Sequence, residues 1–363
     1  MRYKNIFYIN SEPLKNLGNF RDYLISNSES LTTLHFFLGF SNKYPYVEKY
    51  KFGKKILRKE FNIYKGNNNY IRNILYFIFY FYILFKYADR DSYVITTSPI
   101  FCFLNIIGSF FKNTRHVFWI GDYYPSKKFP MNIYHTLVDY YNNKLKYVLY
   151  VSPPLKKIYF KKSQNQKYRS LATLGIKKEN TKKHINKKIL TVGFVGVIRE
   201  QQGLDLFFDF LKKTSKNTKL EVVGDGYKLE FYKNKTKELG IKNKVKFYGF
   251  VKNEAKIFKK WDVGLALYEN TSSNLSKYCE PTKIKHYLKY GLPVITTNTT
   301  YFYKDINRYK AGEVVKENVG DLNYKIKKII TNYDFYLQGV EKIVKHFNYE
   351  KWYKKEFKFM EGK

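Results

Sequence analysis

The sequence lacks any apolar run long enough to cross a bilayer, holds only two cysteines, and has 30 acidic residues against 67 basic ones. The longest unbroken apolar run, ILYFIFYFYILF at residues 74–85, counts 12 residues, short of the roughly 20 that a spanning helix needs. It is read as a core helix in preference to a membrane-inserted one. Cys102 and Cys279 are too few for a disulfide scaffold and fit a reducing cytoplasm. The first residues, MRYKNIFYINSEP, have neither a signal-type apolar region nor a small-residue cleavage site, so no secretory leader is expected. Zinc-finger spacing, an RNA-binding aromatic motif and a basic helix with heptads are all missing, and the lysines are spread over the whole chain; nucleic acid is therefore not an expected partner. The scarcity of acid leaves a net charge of +37, which attracts phosphate-bearing partners. An anionic membrane surface is the expected one, with the protein peripheral at its cytoplasmic, inner face.

What is present is a globular chain of 363 residues, 44% hydrophobic, enough for two domains. A first strand at 6–9 is followed by a loop at 10–19 and a helix from Phe20; 31–40 reads as a strand and 43–69 as a polar, basic loop. Beyond Tyr70 the order becomes helix, strand, helix, strand (70–88, 93–97, 99–111, 116–120), which makes a parallel sheet. A further strand at 147–151 precedes a helix. Residues 161–188 are Lys/Asn/Gln-rich without apolar period, which marks an inter-domain linker. A second βα series starts at Ile189. The expected division is an N-terminal domain at 1–165, a linker at 166–188, a C-terminal domain at 189–345, and a terminal helix at 346–363 returning to the first domain. The fold class is α/β, two Rossmann-like domains facing a cleft.

The second series is organised around WDVGLALYENTSSNLSKYCEPTKIKHYLKYGLPVITT, residues 261–297. Residues 262–267 are apolar without alternation, as in a strand covered on both faces. Glu280-Pro281 opens a helix whose apolar face is Ile284, Tyr287 and Leu288, and Gly291 and Pro293 end it. The helix start points to anion binding: the N–H groups of Thr282, Lys283 and Ile284 are taken as unpaired, and the helix dipole adds to the Lys283 charge. Upstream, GFVGVIREQQG at 193–203 is a strand end, a loop holding Gly196 and a helix start at Gly203. Asp89-Arg90-Asp91 has a metal-binding spacing but lies between a helix and a strand start, so it is read as a surface turn, and no metal is expected.

The segment EPTKIKHYLKYGLPVI resembles the donor-site signature of retaining GT-B glycosyltransferases, in particular glycosyltransferase family 4. GFVGVIREQQG, VVGDGY (222–227) and KFYGFV (246–251) match other family segments in the same order, and WIGDYYP (119–125) is similar to the strand end of the acceptor-side domain. The resemblance implies transfer of a sugar, with retention, from a nucleotide sugar, UDP-linked by expectation, to a glycan or polyprenyl-linked acceptor in surface polysaccharide biosynthesis. It assigns Arg199 and Lys283 to the diphosphate with Gly196, Gln202 and Thr282 beside them, His286 to the ribose, and Glu280 to donor sugar hydroxyls in preference to a plain helix-start residue before Pro281. Gly18 matches the glycine of the first loop, and Asp122 is set against an acceptor hydroxyl or, equally, a turn cap. Three departures from the family stand out: Val197 and Gln202 replace an arginine and a lysine, and His286 replaces a glutamate. They keep two alternatives open, a non-catalytic GT-B partner subunit and a basic membrane- or polyanion-binding module.

Overall fold

The computed structural model of the chain describes residues 2–12, 19–37, 44–63, 69–123, 131–160, 168–179, 189–214, 217–251 and 253–361. Gly18 lies outside the described residues. Two compact units are formed, Met1–Gly175 with Tyr349–Lys363, and Ile176–Asn348.

The first unit contains β1 (Tyr3–Glu12), α1 (Phe20–Asn27), β2 (Ser28–Phe37), β3 (Tyr46–Lys51), β4 (Lys54–Glu60), α2 (Asn69–Tyr87), β5 (Tyr93–Thr96), α3 (Pro99–Lys112), β6 (Arg115–Ile120), α4 (Met131–Lys144), β7 (Tyr147–Tyr150), α5 (Pro153–Phe160) and β8 (Arg169–Leu171). Its strands lie in the order β4-β3-β2-β1-β5-β6-β7-β8. All neighbours are parallel except β2–β3 and β3–β4. The hairpin β3–β4 replaces the loop expected at 43–69. Its turn residues Phe52 and Gly53 both take positive φ, the geometry of a tight hairpin turn, and β4 is so polar because it is an exposed edge strand. Likewise β8 lies inside the stretch read as linker: three residues pair with β7, and Arg169 is held by the carbonyls of Asn142, Leu145 and Lys146 rather than by apolar packing. Asp89 and Asp91 form the turn before β5, Asp89 accepting from Ser30 and Lys49, and Asp91 from Asn113.

Residues 74–85 fall within α2, which is half core and half surface. Tyr76, Tyr80, Ile83, Leu84 and Tyr87 are buried at helical spacing, whereas Ile74, Ile78, Tyr82 and Phe85 on the opposite face are exposed. No described helix is long and apolar enough to cross a membrane. The chain's last helix, α13 (numbered after the second unit's helices; Tyr349–Glu356), belongs to the first unit: Phe20 packs on Tyr353 and Phe357, Tyr353 Oη accepts from the Gly175 N–H at 2.9 Å, and Trp352 Nε1 donates to the Thr173 carbonyl.

The second unit contains β9 (Leu190–Val195), α6 (Leu204–Lys213), β10 (Thr218–Val223), α7 (Leu229–Glu238), β11 (Val245–Gly249), α8 (Ala255–Phe258), β12 (Val263–Ala266), α9 (Thr282–Lys289), β13 (Val294–Thr296), α10 (Tyr303–Tyr309), β14 (Gly312–Val314), α11 (Val319–Thr331) and α12 (Tyr333–His346). Six parallel strands run β11-β10-β9-β12-β13-β14. From β9 the chain builds outward through β10 and β11, then crosses back to β12 and builds the other way. The strand order therefore reverses between β9 and β12, and the crevice at their carboxyl ends is where open α/β sheets take ligands.

Candidate active site at the β9–β12 switch point

Two loops frame this crevice, 196–203 after β9 and 267–281 after β12, and α9 begins between them. Buried contacts hold α9 in place. Tyr287 Oη accepts from the Val195 N–H at 3.0 Å and donates to the Leu265 carbonyl at 2.8 Å, pinning the helix to the ends of both central strands. The loop after β12 is tied to β13, since the Thr299 hydroxyl donates to the Tyr268 carbonyl at 2.6 Å and that of Thr297 reaches the same oxygen. Asn274 Nδ2 joins the two loops by donating to the carbonyls of Glu269 and Gln201. Gly203 stands at φ 73°, and a Cβ there would collide with Leu267, so only glycine lets α6 start so close to β12.

Lys283, in the first turn of α9, is buried with 8% of its surface exposed. Its ammonium lies over the Phe194 ring at 4.0 Å and the Tyr268 ring at 4.9 Å, and donates to Gln202 Oε1 at 2.7 Å. A Cβ on Gly196 would lie 3.6 Å from the Lys283 side chain, so the glycine keeps that flank open. Among the described residues no carboxylate lies within ion-pair distance of Lys283. Burial, with the Arg199 charge adding to it, holds the ammonium down to about 7. Aromatic faces and one amide oxygen offset only part of the cost of desolvating a charge. Lys283, Gln202 and Gly196 are thus brought together, with the half-buried Arg199 near enough for its charge to act on the ammonium, and a buried cation without a carboxylate at ion-pair distance is chemically suited to an anion.

The helix start itself differs from expectation. The N–H of Thr282 donates to the Glu280 carbonyl at 2.8 Å and that of Ile284 to the Pro281 carbonyl at 3.1 Å, because Pro281 stands before the helix and its carbonyl already takes the first turn. The free N–H groups expected at Thr282 and Ile284 are therefore spoken for, and the side chain of Lys283 is the group that marks the site. The Thr282 side chain is exposed.

Glu280 has other partners than a sugar. Its buried carboxylate pairs with the buried Lys285 and accepts from Tyr301 Oη, while the Lys285 ammonium lies 5.0 Å from the rings of both Phe302 and Phe347. Lys285 is thus held on a different set of rings from Lys283. Burial lowers the Lys285 pKa, and the Glu280 charge opposes that shift. His286 is half-buried; its Nε2 is 2.6 Å from Glu254 Oε1, and its ring lies against Phe258 and Tyr290. That carboxylate comes from the residue before α8. Val197, at the position of the family arginine, is 60% exposed. In the first unit, Asp122 is exposed beyond the carboxyl end of β6.

Sequence reasoning missed Phe194, Tyr268, Lys285, Tyr301 and Glu254. The two site aromatics had a signal, since each lies at or just beyond the carboxyl end of an apolar strand. Glu254 had none, because its approach to His286 depends on how α8 packs against α9.

Residues 176–345, nearly the whole second unit, match the family model described as glycosyl transferases group 1. No curated protein matches the chain significantly. Among solved structures the chain is similar to Anabaena HepE in complex with UDP and glucose, at 12% identity and a TM-score of 0.72, covering 99% of this chain and 100% of that one. WaaG, a glycosyltransferase involved in lipopolysaccharide biosynthesis, shares 14% identity at a TM-score of 0.62, with 98% of each chain covered. TarM of S. aureus, solved with UDP, fondaparinux and α-GlcNAc-glycerol, shares 15% identity at a TM-score of 0.62, covering 89% of this chain and 75% of that one. At these identities the likeness establishes a common fold, GT-B, with two Rossmann-like units. Residues 176–345 carry the glycosyl transferases group 1 domain, and the chain that carries it is a glycosyltransferase of GT-B fold.

Proposed function

We propose that the protein transfers a sugar from a UDP-sugar, with retention at the anomeric carbon, to a glycan or polyprenyl-linked acceptor in surface polysaccharide biosynthesis. The observation that carries the donor reading is the buried Lys283 ammonium, which sits beside Arg199 with no carboxylate neighbour at the β9–β12 switch point. Such a charge is costly until an anion arrives, and a nucleoside diphosphate supplies one. UDP in the HepE and TarM structures supports this choice of nucleotide. The likeness of EPTKIKHYLKYGLPVI to the signature of retaining enzymes supports retention.

Departure of the sugar builds negative charge on the diphosphate. Lys283 and Arg199 are already in place to neutralise it, and a preorganised cation in a dry crevice stabilises developing charge without reorganising. Gln202 aims the ammonium by accepting one of its hydrogen bonds. With protein cations in this role, the reaction is proposed to run without a metal. His286, oriented by Glu254, is assigned to the ribose. Asp122 and Gly18 are assigned to the acceptor side. Glu280 acts on position, holding the start of α9 through Lys285 and Tyr301. A panel of nucleotide sugars, scored by nucleotide release and by thermal shift, tests the reading. Stabilisation and hydrolysis confined to UDP-sugars are expected; a panel without any response would overturn it.

A further inference from the structure

One surface of the first unit carries none of the residues assigned above to donor or acceptor. Helices α2 and α3 pack together, and each exposes five large apolar side chains. On α2 these recur at helical spacing along the face opposite the core and include Ile74, Ile78 and Phe85. On α3 the most exposed are Phe103, Phe110 and Phe111, with Phe110 at 83% and Phe111 at 65%. The Phe85 and Phe111 rings touch, their centroids 5.3 Å apart, so the two stripes join into one patch. Soluble monomers seldom expose a continuous apolar surface of this extent without a partner for it.

The charge at the patch identifies the partner. Neither helix contains an aspartate or a glutamate, and each has a lysine in its last turn: Lys86, whose Nζ donates to Tyr82 Oη, and Lys112, whose Nζ caps the Ala88 carbonyl. A second copy of the chain would bring another +37 against this one. An anionic bilayer instead presents hydrocarbon for the aromatic and isoleucine side chains, and headgroup phosphates for the two lysines. The helices lie with one face in the unit's own core, which suits lying in the interface and not spanning it.

We propose that the α2–α3 face docks on a lipid bilayer by inserting its apolar side chains, with Phe110 and Phe111 deepest and the lysines at headgroup level. Insertion thereby replaces the purely electrostatic attachment expected from net charge, and the inference is independent of which donor or acceptor the enzyme uses.

Flotation tests it with vesicles of phosphatidylcholine alone and of phosphatidylcholine with phosphatidylglycerol, each at low salt and at about 0.5 M salt, where charges more than a few ångströms apart are screened. The wild type is expected to float with neutral vesicles at high salt, and more tightly with anionic ones at low salt. A variant combining Ile78→Ser, Phe110→Ser and Phe111→Ser should lose neutral-vesicle binding by more than tenfold, since each buried side chain of this size is worth about tenfold or more in partition. Its melting temperature and UDP affinity should be unchanged. Failure of the wild type to float on neutral lipid at high salt would overturn insertion. So would light scattering showing a wild-type dimer that the triple variant converts to a monomer, which would assign the face to a second copy.

Discussion

Replacing Lys283 by methionine separates the cost of the buried charge from its use. In the unfolded chain this lysine titrates near its ordinary 10.5, whereas in the folded chain burial and Arg199 bring it to about 7. Between those values the unfolded state holds more protons than the native state, so stability rises with pH in that window. Below pH 7 both states are protonated and the full penalty is present; above about pH 10.5 neither is. One proton contributes about 1.4 kcal/mol per pH unit. The stability of the wild type relative to Lys283→Met should therefore climb by about 2 kcal/mol from pH 7.5 to pH 9.5 and stay level below pH 6.5. Methionine has a similar length and packs well against Phe194 and Tyr268, so the variant should fold. Other lysines titrate in both proteins and cancel in the difference. Urea unfolding of the pair at half-unit pH steps measures it. A difference constant from pH 6 to 9.5 would mean an ammonium with an ordinary pKa, and the case for a desolvated anion receptor would be lost. The same titration has a binding counterpart: the protonated form is the one that pairs with a diphosphate, so UDP affinity should fall by roughly tenfold between pH 7 and pH 8.5.

Glu280→Gln should cost about 3–5 kcal/mol by stranding the Lys285 charge in the core, and Lys285→Met in the same chain should recover most of that. Loss of turnover at an unchanged melting temperature would instead return Glu280 to the sugar. Gly203→Ala should lower stability by about 2 kcal/mol or more, because alanine is disfavoured at φ 73° and its Cβ would strike Leu267; an unchanged urea midpoint would contradict that packing. Activity should persist in EDTA, and a rate that collapses on chelation and returns with magnesium or manganese would transfer charge neutralisation from Lys283 and Arg199 to a metal.

The parallel sheets were legible because buried strands such as 263–266 and 294–296 are apolar without alternation, and because βα order leaves few topologies open. The position of Lys283 was legible too, since Pro281 and Gly291 bracket its helix. The hairpin β3–β4 was not, for β4 faces solvent and has no apolar face to betray its period. β8 is only three residues long and is held by side chain to carbonyl bonds at Arg169, which leave no trace in hydropathy. Residues 74–85 look uniformly apolar in sequence, so their division into a core face and an exposed face emerges only once α2 is packed. At the site, the partners of Glu280 and His286, Lys285 with Tyr301 and Glu254, were not legible, because they are fixed by tertiary contacts that spacing does not encode.

The most direct test of the donor site is calorimetry of UDP binding to the wild type, to Lys283→Ala, and to Lys237→Ala, which removes an exposed charge from the same unit. Lys283→Ala should weaken binding by on the order of 1.5–3 kcal/mol, the range for a hydrogen bond to a charged group, while Lys237→Ala leaves it unchanged. Equal affinity in all three proteins would place the nucleotide elsewhere and contradict the assignment of the β9–β12 crevice.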